Sequence, residues 1–380
     1  MLKKLNFDQV SIKRKLLNTV SLITLILFLN SGLSLNAQTI KLPKPSGNFQ
    51  VGTVSYTWSD QREEIATPDL NKKREFYVRI WYPTDLEADA KHSDYMPQLD
   101  SFGTMVGENF VLRIKKTQTN SYKNQQVSKE KSSYPVVIFS PGYGMSKYYY
   151  THFLEELASR GYIVVAVDFP YLNKLVTTKG VAINPDGNFW NSFPVSAAAE
   201  GSYEDAKKKV EMTLEYFSSG IFSVKNELEN LNRSDPKGIF TERIDLKKIA
   251  LFGHSAGALG VKGVMELEDT PFLGFITFDV SIHQVIGSRE IIIPHTINIT
   301  TPVLMFITEY ASPPDYDFLK SVSTNIEMHS LSGMNHSSLS DLDYLYYLDN
   351  NQNQQAELAL KNIRIITSVT VRFLNKLMSN

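Results

Sequence analysis

The sequence predicts an α/β protein: a mostly parallel central sheet with helices on both faces. Two observations carry this. Short apolar, β-branched runs bounded by turn residues recur from residue 134 onward. Segments with helical spacing alternate with them. Strands that alternate with helices form parallel sheets, because each crossover helix returns the chain to the same end of the sheet.

The elements follow in chain order. Residues 1–37 are set apart from the fold: a basic start "MLKKLNFDQVSIKRKLL", an apolar run "VSLITLILFL" and a small or polar end "NSGLSLNAQ". This is the layout of a secretory signal, with cleavage expected after Ala37 and an uncleaved membrane anchor as the other reading. The apolar run is short for a membrane span. A secreted or periplasmic location is the expectation. The remaining chain, 38–380, is read as one domain. Residues 38–50 read as a polar, Pro-containing linker. "GTVSYTWSD" (52–60) and "REFYVRIWYP" (74–83) alternate as two strands. Residues 85–133 break the pattern and are read as an insertion, with one amphipathic helix near "FGTMVGENFVLRIKK".

"YPVVIFS" (134–140) is a strand, "YYYTHFLEELASRG" (148–161) a helix stopping at Gly161, and "YIVVAVD" (162–168) a second buried strand. Residues 169–200 form a second insertion rich in Pro, Gly, Asn and aromatics, and connections of that length are usually functional or mobile. Residues 202–232 are helical and charged. "KIALFG" (248–253), a helix from about Ala256, "FLGFITFD" (272–279), "PVLMFITE" (302–309) and "NIEMHSL" (325–331) continue the alternation. "QQAELALKNIRIITSVTVRFLNKL" closes the chain as a helix able to cover one sheet face.

Composition narrows the chemistry. Hydrophobic residues make up 42% of the 380, enough for a sizeable core, and the formal net charge is −1. That balance gives no reason to expect nucleic acid as a partner. The absence of cysteine excludes disulfides, thiolate catalysis and Cys-ligated zinc, and with them a bacterial-type lipid anchor.

Ligands of such sheets sit beyond the carboxyl ends of the strands. The loops after Ser140, Asp168, Gly253, Asp279, Glu309 and Leu331 should therefore share one rim. Gly253-His254-Ser255-Ala256-Gly257 fits G-x-S-x-G between a strand and a helix, the context in which a serine is lifted above the sheet on a sharp turn. A serine hydroxyl needs a base to act as a nucleophile. Of the seven histidines, His336 in "LSGMNHSSLSD" lies just past the last strand. His254 should point away from its neighbour Ser255, His329 lies within a strand, His283 and His295 sit in uncertain loops, and His92 and His152 precede the serine. The histidine in turn needs an acid to fix its tautomer. Asp279 ends an apolar strand, where an unpaired charge would be costly. Glu309, Asp315 and Asp317 follow the next strand and stay open as alternatives. The order Ser255, Asp279, His336 is that of α/β-hydrolases. An oxyanion hole would take the backbone N–H of Ala256 and that of Tyr143 in "SPGYG", where Gly142 allows close approach.

"YPVVIFSPGYGMSKYYYTHFLEELASRGYIVVAVD", "IDLKKIALFGHSAGA", "GFITFDVSI", "PVLMFITEYA" and "GMNHSSLSD", with the early "VRIWYP", together resemble the plasma-type platelet-activating-factor acetylhydrolase family and its bacterial secreted relatives. The resemblance runs in order over most of 74–345. It implies an α/β-hydrolase fold, a serine esterase with a short-acyl preference, and an acid at Asp279. In similar polyester hydrolases the acid follows the next strand, at a position corresponding to Ala311. Pro141 stands where the family often has His, and Ala258 replaces a frequent glycine.

The expectation is a secreted esterase of small-molecule or lipid esters, needing no metal or organic cofactor. A lipase, or an esterase of acetylated carbohydrate or polymeric esters, would use the same triad. A non-catalytic binding protein on this scaffold should lack at least one triad member. The aromatic stretches "MSKYYY" and "NFWNSF" and the basic patch at 113–116 are candidates for a weak membrane-surface contact.

Overall fold

A computed structural model describes residues 39–67, 71–186, 203–265, 267, 269–280, 284–286, 289–291, 299–309 and 325–379. The expected signal segment, the stretch "NFWNSF" and the residues Asp315, Asp317, Ala311, His283 and His295 lie outside them.

The chain enters through β1 (Ile40–Lys41), β2 (Gln50–Glu63), β3 (Lys73–Thr84), β4 (His92–Asp94) and β5 (Thr117–Lys123). β6 (Tyr134–Ser140) and β7 (Ile163–Asp168) follow, then a small hairpin of β8 (Leu175–Val176) and β9 (Ala182–Ile183). β10 (Ile244–His254), β11 (Gly274–Phe278), a second small hairpin of β12 (Gln284–Ile286) and β13 (Arg289–Ile291), β14 (Val303–Thr308) and β15 (Ile326–Leu331) complete the strands. The main sheet runs β1-β5-β2-β3-β7-β6-β10-β11-β14-β15, with β4 on β5. From β7 to β15 every pairing is parallel; β3 is antiparallel to both β2 and β7. This is the α/β-hydrolase fold.

The apolar strands are two-faced, and their residues divide by parity. Val136 and Ile138 of β6, Val165 and Val167 of β7, and Ile249 and Leu251 of β10 join one core. Val137, Phe139, Val164, Ala166, Ala250 and Phe252 join the other. The first core is closed by the helices Tyr203–Arg233 and Gly257–Met265, which pack on each other. The second is closed by Thr151–Ser159, by Leu342–Asp349 and by the C-terminal helix Asn353–Met378, whose buried Ala356, Leu360, Ile363, Ile366, Phe373 and Leu374 keep helical spacing. No helix among the described residues is long and apolar enough to cross a membrane.

Two expectations change. Residues 38–50 are not only a linker, because Ile40–Lys41 pairs with β5. The segment 85–133, read as an insertion, contributes a strand to the sheet: β5 enters beside β2. It also holds two helices rather than one, Leu99–Val106 and Glu108–Lys115, divided at Gly107 with φ of +85°, a region open to glycine and hostile to a continuing helix. Tyr148, Tyr149 and Tyr150 are buried, as is Arg113, which pairs with Asp349. In the same basic stretch Lys115 is exposed and Lys116 half-buried.

Candidate active site

The register aligns the strand ends. Gly253 pairs with Ser140, His254 with Phe278, Phe278 with Phe306 and Thr308 with Leu331. The turn after β10, the residue after β11 and the loop after β15 therefore meet on one rim.

Ser255 occupies the turn between β10 and the helix Gly257–Met265 with φ of +51°. A non-glycine residue is held there only by its surroundings. Its N–H donates to the Phe278 carbonyl at 2.9 Å, and its carbonyl accepts from Ala258 N–H at 3.0 Å. The flanking Gly257 is forced by space: a Cβ there would lie 2.2 Å from the Ser140 carbonyl oxygen and 2.5 Å from that of Pro141.

His336 bridges to Ser255. Its Nε2 lies 2.9 Å from the Ser255 hydroxyl, and its Nδ1 lies 2.6 Å from Asp279 Oδ2. An ionised carboxylate only accepts, so Nδ1 carries the proton and Nε2 is free to accept from the serine. The Asp279 side chain is fully enclosed while that of His336 is 37% exposed, so the acid is sealed and the base opens to the rim. Asp279 also accepts from the Thr308 backbone N–H and hydroxyl. Burial acts to raise the Asp279 pKa, but the bonds from His336 and Thr308 outweigh it and hold the carboxyl below its ordinary value.

His254 does point away from Ser255, to Tyr150, whose hydroxyl lies 2.6 Å from its Nδ1. Its ring nevertheless packs against that of His336, centroids 4.7 Å apart. Burial, aided by repulsion from His336, pushes the His254 pKa well below the ordinary value, so a neutral ring lies beside the base.

The loop after β6 reaches the same place. A Cβ on Gly142 would lie 3.2 Å from the Ser255 Cβ. Tyr143 therefore follows directly on a residue touching the serine. Ala256 is buried at the entry of the helix Gly257–Met265.

The structure thus brings Ser255, Asp279 and His336 together and sets Gly142-Tyr143 and Ala256 beside them. Other candidates are placed elsewhere. Glu309 accepts from Gly333 N–H at 3.1 Å and so tethers the loop that carries His336. His329 pairs with Glu327, His92 stacks on Tyr122, and His152 is buried. Three contributors went unread in the sequence: Thr308, Tyr150 and Asn173, whose side chain holds the Gly142 carbonyl. Thr308 had one usable signal, its place at the end of the strand neighbouring Asp279.

Residues 34–177 match the family model described as platelet-activating factor acetylhydrolase, isoform II. The matched stretch contains the Gly142-Tyr143 loop and ends before Ser255, Asp279 and His336. The sequence has no match among curated proteins. Among solved structures, a ferulic acid esterase from Streptomyces cinnamoneus is similar, with a TM-score of 0.65 at 20% identity, over 89% of this chain and 93% of that one.

Proposed function

We propose that this protein is a carboxylic ester hydrolase that works through an acyl-enzyme on Ser255. The observation that carries the reading is the unbroken line of hydrogen bonds from Asp279 through His336 to Ser255, at 2.6 and 2.9 Å. His336 Nε2 takes the hydroxyl proton as Ser255 Oγ attacks the ester carbonyl carbon. The resulting imidazolium is stabilised by Asp279. The carbonyl oxygen becomes an oxyanion, held by the N–H groups of Ala256 and Tyr143. His336 then returns the proton to the departing alcohol. Water repeats the sequence on the acyl-enzyme and releases the acid.

The family matched by residues 34–177 supports an acetyl-sized acyl group and, with it, a phospholipid-like alcohol. The basic-apolar-polar layout of residues 1–37 supports export with removal of that segment.

Hydrolysis of p-nitrophenyl acetate by the wild type and by Ser255→Ala tests the chemistry. Loss of at least about 10³-fold in kcat is expected. A variant retaining the wild-type rate overturns the assignment. An ester series from acetyl to palmitoyl tests the acyl preference, with a maximum at two to four carbons expected and a maximum beyond eight against it. The mass of exported protein should correspond to a chain starting at Gln38; an intact N-terminus rejects cleavage.

A further inference from the structure

The Gly142-Tyr143 loop is held by residues 169–174, and one of the holding groups is a buried side chain. Asn173 is only 2% exposed. Its Nδ2 donates to the Gly142 carbonyl at 2.9 Å, and its Oδ1 accepts from Phe169 N–H at 2.8 Å. Phe169 N–H can only donate, so the amide cannot be flipped: its oxygen must face Phe169 and its NH₂ must face Gly142. The Asn173 backbone N–H is also tied back to the Phe169 carbonyl at 3.0 Å. Around it, Gly144 N–H donates to the Leu172 carbonyl at 2.8 Å and Lys174 N–H to the Met145 carbonyl at 3.1 Å. The start of the second insertion is therefore laced along the loop.

The Gly142 carbonyl and the Tyr143 N–H belong to one peptide unit. The unit is planar, and no cis peptide occurs among the described residues. In a trans unit the C=O and the N–H point in opposite directions. Fixing the carbonyl between Asn173 Nδ2 and Met145 N–H, at 2.9 and 3.1 Å, therefore fixes the direction of the Tyr143 N–H. That direction leads away from residues 169–174. A Cβ on Gly142, at the near end of the same unit, would come within 3.2 Å of the Ser255 Cβ.

We propose that Asn173 is the positioning residue of the oxyanion hole: its side-chain NH₂ locks the Gly142–Tyr143 peptide so that the Tyr143 N–H faces the oxygen that becomes negative on Ser255. This rests on the reading of Ser255 as nucleophile and Tyr143 N–H as oxyanion donor. Asn173 touches neither substrate nor reacting atoms; it acts through the peptide. A preorganised donor contributes because it need not reorient when charge develops. A peptide free to rotate loses that advantage in the transition state and little of it in the ground state.

Asn173→Asp is the sharper test when assayed at a pH where the new carboxyl is ionised, because the carboxylate keeps the acceptor for Phe169 N–H and removes the donor to Gly142, whereas the protonated acid would restore that donor. Asn173→Ala removes both. On p-nitrophenyl acetate, a fall in kcat of about 10- to 100-fold is expected for Asn173→Asp, with KM within about threefold of wild type, since deleting an oxyanion donor outright costs about 10²–10³-fold. A short-chain trifluoromethyl ketone, which forms a charged tetrahedral adduct with a serine, should bind more weakly by the same factor as the loss in kcat/KM. Circular dichroism and thermal midpoint identify a variant that fails to fold. Should Asn173→Ala fail, Asn173→Asp carries the test; should both fail, the ketone affinity of Asn173→Ser decides it. A folded Asn173→Ala, or an ionised Asn173→Asp, with kcat within twofold of wild type or with KM alone changed, overturns the proposal. Retention of the full rate by Ser255→Ala would instead overturn the functional reading, whatever Asn173 does.

Discussion

The backbone N–H and the hydroxyl of Thr308 both donate to the Asp279 carboxylate, each at 2.8 Å to Oδ1. Asp279 takes φ of +56°, so its backbone leaves the strand sharply and aims the carboxylate across the end of β14. One residue at the tip of a neighbouring strand therefore holds the acid by both oxygens, its hydroxyl lying 2.8 Å from Oδ1 and 2.8 Å from the Oδ2 that binds His336.

Replacing Thr308 by Val keeps the shape and the backbone donor but removes the hydroxyl. A hydrogen bond to a charged group contributes about 1.5–3 kcal/mol, and a loss of that order is expected in the urea midpoint. The kcat should fall by roughly tenfold as the imidazole loses its fixed orientation. The sign with pH follows from the lowered Asp279 pKa. Its contribution is complete above the unfolded value of about 3.9 and is lost as pH falls through the native value. Thr308→Val raises that native value, so acid unfolding should begin at higher pH. Identical acid-unfolding curves for variant and wild type would sink the idea.

A second pH effect comes from His152, which is buried and has its pKa pushed down to about 4 by burial, with Glu156 opposing and Arg364 assisting. The unfolded chain takes up a proton near pH 6.5 that the native state refuses. Stability contributed by the neutral ring is thus full above about 6.5 and lost as pH falls toward 4, by roughly 3 kcal/mol. His254 adds a loss of the same sign. Raised carboxyl pKa values at Asp341 and Glu155 oppose it, so the difference between wild type and His152→Gln isolates the histidine. Urea midpoints from pH 7.5 to 4.5 should fall less steeply for the variant; parallel slopes would contradict the assignment.

The strands that position the site could be read because their side chains are apolar in both directions. β5 could not. Its sequence "TQTNSYK" is polar throughout, yet it buries alternate residues, Thr117, Thr119 and Ser121, at 7%, 2% and 0% exposure. The alternation is that of a strand, written in hydroxyls. The reason lies across the core. Thr119 and Ser121 bond Ser93, Ser93 bonds the buried Arg79, and the buried Glu155 accepts from Asn120 on the same strand. A scan for hydrophobic period misses a strand that faces a buried charge. The hydrogen-bonded Ser255, His336 and Asp279 were legible for the opposite reason, since chain order and strand ends fix their place without any knowledge of packing. Asn173 left no such mark, because its role depends on which carbonyl the folded loop presents.

Gly257 tests how tightly the Ser255 turn and the Gly142-Tyr143 loop are joined. In Gly257→Ala the new methyl would sit 2.2 Å from the Ser140 carbonyl oxygen, and the atoms it meets are backbone, which cannot rotate aside. Overpacking of this kind costs about 1–3 kcal/mol, and relief requires the end of β6 to move away from Ser255. Both a lower urea midpoint and a kcat reduced by at least tenfold are expected; a variant with wild-type kcat would show that the loop and the turn are not coupled.

The remaining prediction concerns the far anchor of that loop. Lys147 and Asp168 form an ion pair at 2.7 Å with side-chain exposures of 3% and 0%, and Asp168 also accepts from Lys147 N–H at 2.8 Å and the Ser146 hydroxyl at 3.1 Å. Removing one partner of a buried pair strands the other charge, at a cost of about 3–5 kcal/mol. Lys147→Met should therefore destabilise strongly, and so should Asp168→Leu. The two losses should not add. With both charges gone neither partner of this pair is left stranded, and buried pairs replaced by apolar residues of similar volume are often no less stable than the original. The double variant Lys147→Met/Asp168→Leu should recover more than half of the summed loss, less the bonds that Ser146 and the Lys147 N–H no longer make. Urea unfolding of the four proteins measures the coupling directly. Additive losses would mean that Asp168 acts through its bonds to the loop backbone alone, and that the charge of Lys147 is stabilised by something other than Asp168.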